Sequence, residues 1–252
     1  MPDLAQFALP FVAGCVGGAM NALAGGGSFA TLPSLIAMGL PAKIANATSN
    51  IAMLPGAGAS ALTFRKELTS VGGVGWRTLA LITFVGGLAG SLLLVVTPSR
   101  AFDLIVPWLL LFAFLVMIFG TRASAWLHAR VTIGPRTLVA AQAMLGTYGG
   151  YFGGGVGLIT TAVYGLLANV TPRALFAQRT LMLAVANLAA AFIFIWFDMI
   201  HWQAAVPMLT GGIVGGWLGA VVGKSLSPLA VRIWTLGVTG ATTAVFFWRA
   251  FG

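Results

Sequence analysis

Four apolar stretches of about 20 residues each restrict the fold of this chain more than any other feature of its sequence. They are residues 76–96, 101–119, 174–197 and 229–248. Each can cross about 30 Å of hydrocarbon as a helix that rises about 1.5 Å per residue. Hydrocarbon offers no water to unpaired backbone groups, which favours helices in such stretches. We therefore predict an all-α polytopic membrane protein.

The low content of charged residues supports this prediction and excludes a soluble globule. Only 7% of the 252 residues are charged, whereas about 25% is usual in soluble domains. The longest polar stretch, residues 121–136, is too short for a soluble domain. The net charge of +9 comes from basic residues scattered between apolar runs, which is a topology signal rather than a nucleic-acid-binding surface. We expect one membrane domain that contacts lipid and no nucleic acid.

The sequence also repeats itself. Three landmarks recur in the same order. They are the triple glycines at 25–27 and 153–155, the proline and basic turns at Leu40-Pro41-Ala42-Lys43 and Thr171-Pro172-Arg173, and the tryptophans Trp76 and Trp202 with spaced glycines after each. Each half has a long apolar run ending in the triple glycine, a short apolar run and then three full spans, which predicts 8–10 membrane segments in total. The two membrane repeats are residues 1–125 and 126–252.

The orientation of the repeats depends on the short runs at 28–39 and 158–168. If each only dips into the membrane after a full crossing, the basic residues divide seven against six and show no bias. If each reverses the preceding crossing, or forms a re-entrant hairpin with it, ten basic residues share one side and only Lys43, Arg100 and Arg249 face the other. The second case satisfies the positive-inside rule. It places both termini on the periplasmic side and gives inverted-topology repeats, which are typical of secondary transporters.

The glycine breaks are predicted to mark a substrate site. A helix broken at membrane depth is tolerated where it lines a cavity or is buried in protein. The short helices should begin at Ser28 and near Gly157, and their free N–H groups and positive dipole ends suit an anion. The alternative is that the glycines only permit tight hairpin packing. The candidate ligands in the breaks are Gly25, Gly26, Gly27, Ser28, Gly153, Gly154 and Gly155.

Polar side chains within the apolar spans are the remaining candidates for substrate binding. Arg179 follows Arg173 by six residues, about 9 Å along a helix, where a charged side chain costs at least about 2.5 kcal/mol. No acid nearby in the sequence can pair with Arg179, so a substrate anion is its predicted partner, with snorkelling to the membrane edge as the alternative. The other candidates either bind substrate or join helices. They are Asn21, Asn46, Thr48, Ser49, Asn50, Gln142, Tyr148, Tyr151 and Gln178.

No residue pattern in the sequence indicates catalysis. The four acids and two histidines fall at predicted helix ends or in loops, so none is placed for a proton relay within the membrane. Cys15 is the only cysteine, and no phosphate loop or catalytic triad motif is present. We predict a protein that is not an enzyme and has no cofactor and no metal site.

Four groups of residues carry a family resemblance: Ala13-Gly14 through Gly25-Gly26-Gly27, Gly39-Leu40-Pro41 into Ala47-Thr48-Ser49, Gly149 through Gly155, and Gly211-Gly212 through Gly219-Ala220. Over essentially its full length the chain resembles the TauE/SafE family, the sulfite exporter-like permeases of bacterial and archaeal inner membranes. The resemblance implies transport of small anions such as sulfite, sulfoacetate or related organosulfonates across the cell inner membrane. One departure from repeat symmetry is Gln178-Arg179, where the first half has Thr48-Ser49.

The leading hypothesis is therefore a secondary transporter of small anions, with its site between the two broken-helix hairpins. An importer of small organic acids on the same scaffold is one alternative. A membrane assembly subunit that transports nothing is another, and its glycines would only pack partners. The direction of transport, a coupling ion and a homodimer are left open by the sequence.

Overall fold

The chain folds into ten α-helices within the part that the structure describes. The structure is a computed structural model, and it describes residues 4–128, 134–167, 172–223 and 225–252. Asp3, Arg130, Ala168, Thr171 and Lys224 lie outside these ranges. The helices are α1 (Leu4–Leu23), α2 (Ser28–Ala37), α3 (Ala42–Thr63), α4 (Trp76–Val96), α5 (Ser99–His128), α6 (Pro135–Tyr151), α7 (Val156–Leu167), α8 (Pro172–Trp196), α9 (Trp202–Gly223) and α10 (Pro228–Phe251).

Five of these helices are long and apolar enough to cross a membrane, and they include the four spans predicted from the sequence. They are Trp76–Val96, Ser99–Gly120, Ala174–Trp196, Trp202–Val222 and Leu229–Phe251. Helix α3 has the length of a span at 22 residues, but its first half carries buried polar side chains. The protein is therefore an all-helical, multi-pass membrane protein.

Helix α5 continues further than the apolar run at 101–119 predicted. It extends to His128 and so takes in half of the polar stretch at 121–136. The added segment begins with Gly120 and then holds Thr, Arg, Ala, Ser, Trp, Leu and His, with no proline. These residues are compatible with a helix, and one glycine costs only about 1 kcal/mol relative to alanine. Hydropathy located the apolar part of α5 and missed the polar continuation.

The order of elements is the same in both halves. A long helix (α1 or α6), a short helix (α2 or α7) and three long helices follow one another in each half. Helix α2 begins at Ser28 as predicted, and α7 begins at Val156, one residue before the predicted start. The breaks require glycine because φ is +88° at Gly25 and +73° at Gly153, a region that side chains rarely adopt.

Helices α1 and α9 pack backbone to backbone through glycine. A Cβ atom added to Gly211 would overlap Phe11 O, and one added to Gly215 would overlap Cys15 O. These contacts advance along both helices in the same direction, so α1 and α9 run parallel. The N-terminal ends of the two helices therefore lie at the same end of the bundle.

Helices α4 and α6 pack in the same manner. A Cβ atom added to Gly90 would overlap Thr147 O, and one added to Gly150 would overlap Gly87 O. The first helix of each half thus packs on the fourth helix of the other half. The two halves are therefore in contact through both of these helix pairs, while a single membrane domain and the inverted orientation of the second half stay predictions.

Helices α3 and α8 form the centre of this bundle. They pack against each other and also contact α9 and α4, respectively. The apolar window of α8 is 61% buried inside the protein, whereas the other four candidate spans reach 28–39%. Polar side chains on α3 and α8 are therefore enclosed by protein rather than by lipid, which is the environment a substrate site requires.

Candidate functional site

The two glycine loops meet at the centre of the molecule. A Cβ atom added to Gly25 would lie 3.1 Å from Gly157 Cα, and one added to Gly26 would lie 3.5 Å from a methyl group of Leu158. Residues more than 120 positions apart in the chain are thus in contact because neither Gly25 nor Gly157 has a side chain. The two glycine breaks, which occupy matching positions in the two halves of the chain, therefore lie in contact in the fold.

The loops keep backbone donors without a partner. Asn21 Oδ1 accepts the N–H of Gly27 at 3.1 Å. Five other N–H groups of these loops take part in no hydrogen bond within the described part of the chain: those of Gly26, Ser28, Gly154, Gly155 and Gly157. Helix starts leave such donors unpaired and add the positive end of the helix dipole. The combination favours a negatively charged ligand.

Arg179 brings a full positive charge to these loops. Its side chain is only 8% exposed, and its Cγ lies 3.4 Å from the position that a Cβ atom of Gly157 would occupy. Nη1 donates to Ala24 O at 3.4 Å, and the guanidinium carbon lies 4.5 Å from the ring centre of Phe176. Nη2 is buried and has no hydrogen-bond partner. Arg179 is therefore held in place and keeps one charged donor free.

A cavity of about 590 Å³ lies beside the loops, between helices α1, α3, α8 and α9. The predicted site residue Asn21 lines it, together with Phe176 and Thr180, the neighbours of Arg179 on α8. The rings of Phe64 and Phe176 meet edge to face at 4.8 Å on its wall. The sequence hypothesis expected open space between the hairpins. In the structure the cavity lies beside the hairpins, and the contact between the two glycine loops fills the space between them.

The polar residues of α3 connect this helix to three others. Ser49 Oγ lies 2.5 Å from Thr31 Oγ1 of α2. Asn46 Nδ2 donates to Tyr151 O of α6 at 3.2 Å. Asn50 Nδ2 donates to Asn187 Oδ1 of α8 at 3.3 Å, while Asn50 Oδ1 is buried without a donor. All three residues join α3 to another helix, and Asn50 differs from Asn46 and Ser49 in keeping one polar atom unpaired.

The tyrosines before the second break stabilise the loop that follows them. Tyr148 donates its hydroxyl hydrogen to Gly154 O at 2.7 Å. Tyr151 OH lies 3.4 Å from Thr97 Oγ1 at the end of α4. The Tyr148 hydroxyl therefore contacts the second loop directly, whereas the Tyr151 hydroxyl contacts the end of α4.

Three predicted site residues lie away from the loops and have partners of their own. Gln142 Nε2 donates to Thr83 Oγ1 at 2.5 Å, and Gln142 Oε1 accepts from Tyr164 OH at 2.7 Å. Thr48 Oγ1 accepts the N–H of His201 at 3.0 Å, and Gln178 Nε2 donates to Thr69 O. The contacts with Thr83, His201 and Thr69 each join the two halves of the chain, whereas the contact with Tyr164 lies within the second half.

Two residues at the centre were not among the sequence candidates. Asn187 is the partner of Asn50, and Phe176 supports Arg179 and lines the cavity. Asn187 is a lone amide within an alanine- and leucine-rich run. The test that selected Asn50, a polar side chain within an apolar span, would also have selected Asn187. No such signal marks Phe176, because aromatic residues are common throughout this chain.

Comparison with known proteins gives a consistent result. A sequence model of the family described as sulfite exporter TauE/SafE matches residues 10–246. A probable membrane transporter protein, ORF9, from Sinorhizobium sp is 28% identical and aligns over 92% of this chain and 92% of its own length. The probable membrane transporter protein YfcA of Escherichia coli K12 is 23% identical over 96% of this chain and 90% of its own. No solved structure matches the chain.

Proposed function

The chain belongs to the sulfite exporter TauE/SafE family of membrane proteins, and we propose that it is a secondary transporter of small oxyanions in the cell inner membrane. Sulfite, sulfoacetate and related organosulfonates are the proposed substrates. The observation that carries the proposal is the free, buried Nη2 of Arg179 beside two loops with unpaired N–H groups. Relatives named as membrane transporters support the general class.

An anion is the partner that Arg179 lacks. A buried charge without a counter-charge is costly, and the two groups that Arg179 contacts, Ala24 O and the Phe176 ring, are neutral. A planar guanidinium forms short, strong hydrogen bonds with the paired oxygens of a sulfonate or sulfite. Backbone N–H groups at the starts of α2 and α7 can engage the remaining oxygens. Substrate binding then offsets the cost of burying Arg179.

The cavity is the proposed route to this site. Phe64, Leu226 and Val231, from the end of α3 and the connection into α10, lie at one part of its wall, and Asn21 lies beside the first glycine loop at another. Phe176 stands between the cavity and the guanidinium of Arg179. We propose that an anion enters the cavity, passes Phe176 and reaches Arg179.

Carboxylates are the second class of candidate substrate. A carboxylate offers the same pair of oxygens to a guanidinium as a sulfonate does, so an importer of small organic acids would use the same groups. Thermal unfolding of the purified protein with sulfite, sulfate, sulfoacetate, taurine and acetate separates the two classes. A membrane assembly subunit that transports nothing would respond to none of them.

Substitution of Arg179 tests the site directly. Arg179→Gln keeps hydrogen-bonding capacity but removes the charge, and hydrogen bonds to a charged group contribute about 1.5–3 kcal/mol, so affinity should fall about 10- to 100-fold. Arg179→Lys should recover only part of the loss because an ammonium cannot hold two oxygens in one plane. The measurement is calorimetric titration with one anion that stabilises the wild type.

Arg65→Gln is the matched control, because Arg65 is a solvent-exposed arginine in the turn after α3. It removes the same charge from the protein and should leave affinity unchanged. If Arg179→Gln binds the anion as well as Arg65→Gln does, Arg179 has no part in recognition and the proposal is wrong.

A further inference from the structure

The second glycine loop carries a cluster of polar atoms that the anion site does not use. A Cβ atom added to Gly153 would lie 3.1 Å from Asn50 Nδ2, 3.5 Å from Gly149 O and 3.8 Å from Asn187 Oδ1. Three polar atoms from α3, α6 and α8 thus surround one small space, which exists because residue 153 has no side chain. Asn50 and Asn187 are each only 3% exposed.

Two oxygens lack a donor here: Gly149 O of the cluster, and the Oδ1 of the same Asn50 amide whose Nδ2 faces Gly153. Asn50 Oδ1 is buried without a hydrogen-bond partner. Within the described part of the chain, no hydrogen bond reaches Gly149 O either, because the N–H of Gly153 turns to Tyr148 O instead. Buried acceptors are rarely left unpaired unless an ion or water completes them. At this place in the structure, acceptor oxygens therefore outnumber the hydrogen-bond donors that reach them.

The two amides can present still more oxygen. The nitrogen and oxygen of an asparagine amide have nearly the same size, and their assignment follows from the hydrogen-bond network. In the structure Asn50 Nδ2 donates to Asn187 Oδ1. If the Asn50 amide turns by half a turn, that bond is lost, and Asn50 Oδ1 takes the place of Nδ2 beside Gly153 and faces Asn187 Oδ1. Two facing oxygens repel each other unless a cation lies between them.

We propose that Asn50 Oδ1, Asn187 Oδ1 and Gly149 O form a binding site for a sodium ion. Carbonyl ends of broken helices and unwound backbone carbonyls are the groups that hold sodium in secondary transporters. The three ligands carry no formal charge, whereas divalent cations take carboxylates. Amide and carbonyl oxygens are also too weakly basic to hold a proton near neutral pH. The small space beside Gly153 favours a small ion over a large one.

The position of the sodium site links it to the proposed anion site. The loop at 153–157 has Gly153 beside Asn50 and Asn187 at one end, and Gly157 beside Arg179 at the other. A cation that orders the first end therefore also fixes the groups that face the anion at the second end. This coupling rests on the proposed anion function, while the cation site itself does not.

The test is thermal unfolding of the purified protein without any substrate anion. Sodium chloride is titrated and compared with potassium chloride and choline chloride at equal ionic strength. Wild type should show a saturable rise in Tm of about 2–4 °C with sodium alone, because a ligand that binds only the folded state stabilises it. An equal rise with potassium or choline would overturn the proposal.

Variants of the cluster link the effect to these residues. Asn50→Ala and Asn187→Ala should lose the sodium-dependent rise. Ser49→Ala, which removes an adjacent buried polar group bonded to Thr31, should keep it even if its Tm is lower overall. Loss of the rise in Ser49→Ala, or its persistence in Asn50→Ala, contradicts the assignment.

Asn50→Asp tests the site through a gain of sodium affinity, which a misfolded protein cannot show. Asn50→Asp keeps the shape of the side chain and adds a charge to the ligand set, so the sodium concentration at half effect should fall about tenfold. If the Asn50 amide only joins helices, the substitution gives no such gain. An unchanged sodium concentration at half effect therefore contradicts the site.

The sodium response of Arg179→Gln separates the two proposals. It should equal that of the wild type even where anion binding is lost. Anion binding without any sodium response would leave only the proposed function standing, and the reverse would leave only the cation site.

Discussion

At the scale of single residues, equivalent positions of the two halves have acquired different chemistry. Arg179 stands where the first half has Ser49. Ser49 bonds to Thr31 within its own half, whereas Arg179 reaches Ala24 O across the molecule and keeps one donor free. The two halves share the order of their helices, and the positive charge at this position is present in the second half alone.

Gly25 and Gly26 should respond very differently to the same substitution. Gly25→Ala places a side chain at φ +88° and 3.1 Å from Gly157 Cα, so backbone strain and overlap together should cost about 1–3 kcal/mol. Gly26→Ala meets only the side chains of Leu158 and Phe29, both at an ordinary contact distance of 3.5 Å. We expect a clearly lower Tm for Gly25→Ala and nearly the wild-type value for Gly26→Ala. Equal Tm values for the two variants would show that the loops do not touch as described.

At the scale of elements, glycine determines how closely the helices approach. Lipid tails are as apolar as leucine, so helices in a membrane associate through close packing rather than through the hydrophobic effect. Gly86 and Gly90 pack against α6, and Gly212 lies against Ala52 and Met53 of α3. These spaced glycines therefore serve packing between helices of this chain.

Adjacent glycines of α9 provide a matched test of this packing. In Gly215→Ala the new Cβ atom would overlap Cys15 O of α1, and backbone cannot move aside as a side chain can. In Gly216→Ala the nearest atom, Gly18 O, is 3.8 Å away. Gly215→Ala should lose about 3 kcal/mol or more of unfolding free energy, whereas Gly216→Ala should change little. Unfolding of both variants in detergent measures the difference, and an equal loss would contradict the packing of α1 on α9.

At the scale of the whole molecule, parallel packing limits the topology. Helices α1 and α9 begin at the same end of the bundle because their contacts advance together. Helix α10 follows α9 and is expected to return to that end, which would place the two termini on one side. The distribution of basic residues then decides which side faces the cytoplasm.

We predict that both termini face the periplasm. The side with ten basic residues should face the cytoplasm, because basic residues near membrane spans are enriched on the cytoplasmic side. The termini should then lie on the other side, which has three. Reporter fusions after Asp3 and at Gly252 should give the periplasmic signal, and a fusion near Arg130 should give the cytoplasmic one. A cytoplasmic C-terminus would contradict the inverted-repeat prediction.

The sequence alone determined the class of protein and the positions of its helix breaks. Apolar runs of span length have few alternatives to membrane helices, and a triple glycine interrupts a helix wherever it occurs. Both properties are local, so they can be obtained from neighbouring residues. The same locality explains the error at α5, where hydropathy ended the helix before His128.

Only the tertiary structure decided which polar residues share a site. Thr48, Gln142 and Gln178 looked equivalent to Asn50 and Arg179 in the sequence. The fold gives Thr48, Gln142 and the Nε2 of Gln178 partners away from the glycine loops, although Gln178 Oε1 stays unpaired there. At the loops it leaves Asn50 Oδ1 and Arg179 Nη2 unpaired. The cavity likewise lies beside the loops because a contact between two distant glycines closes the space between them. Pairing and contact depend on residues far apart in the chain, and a single sequence does not encode those distances locally.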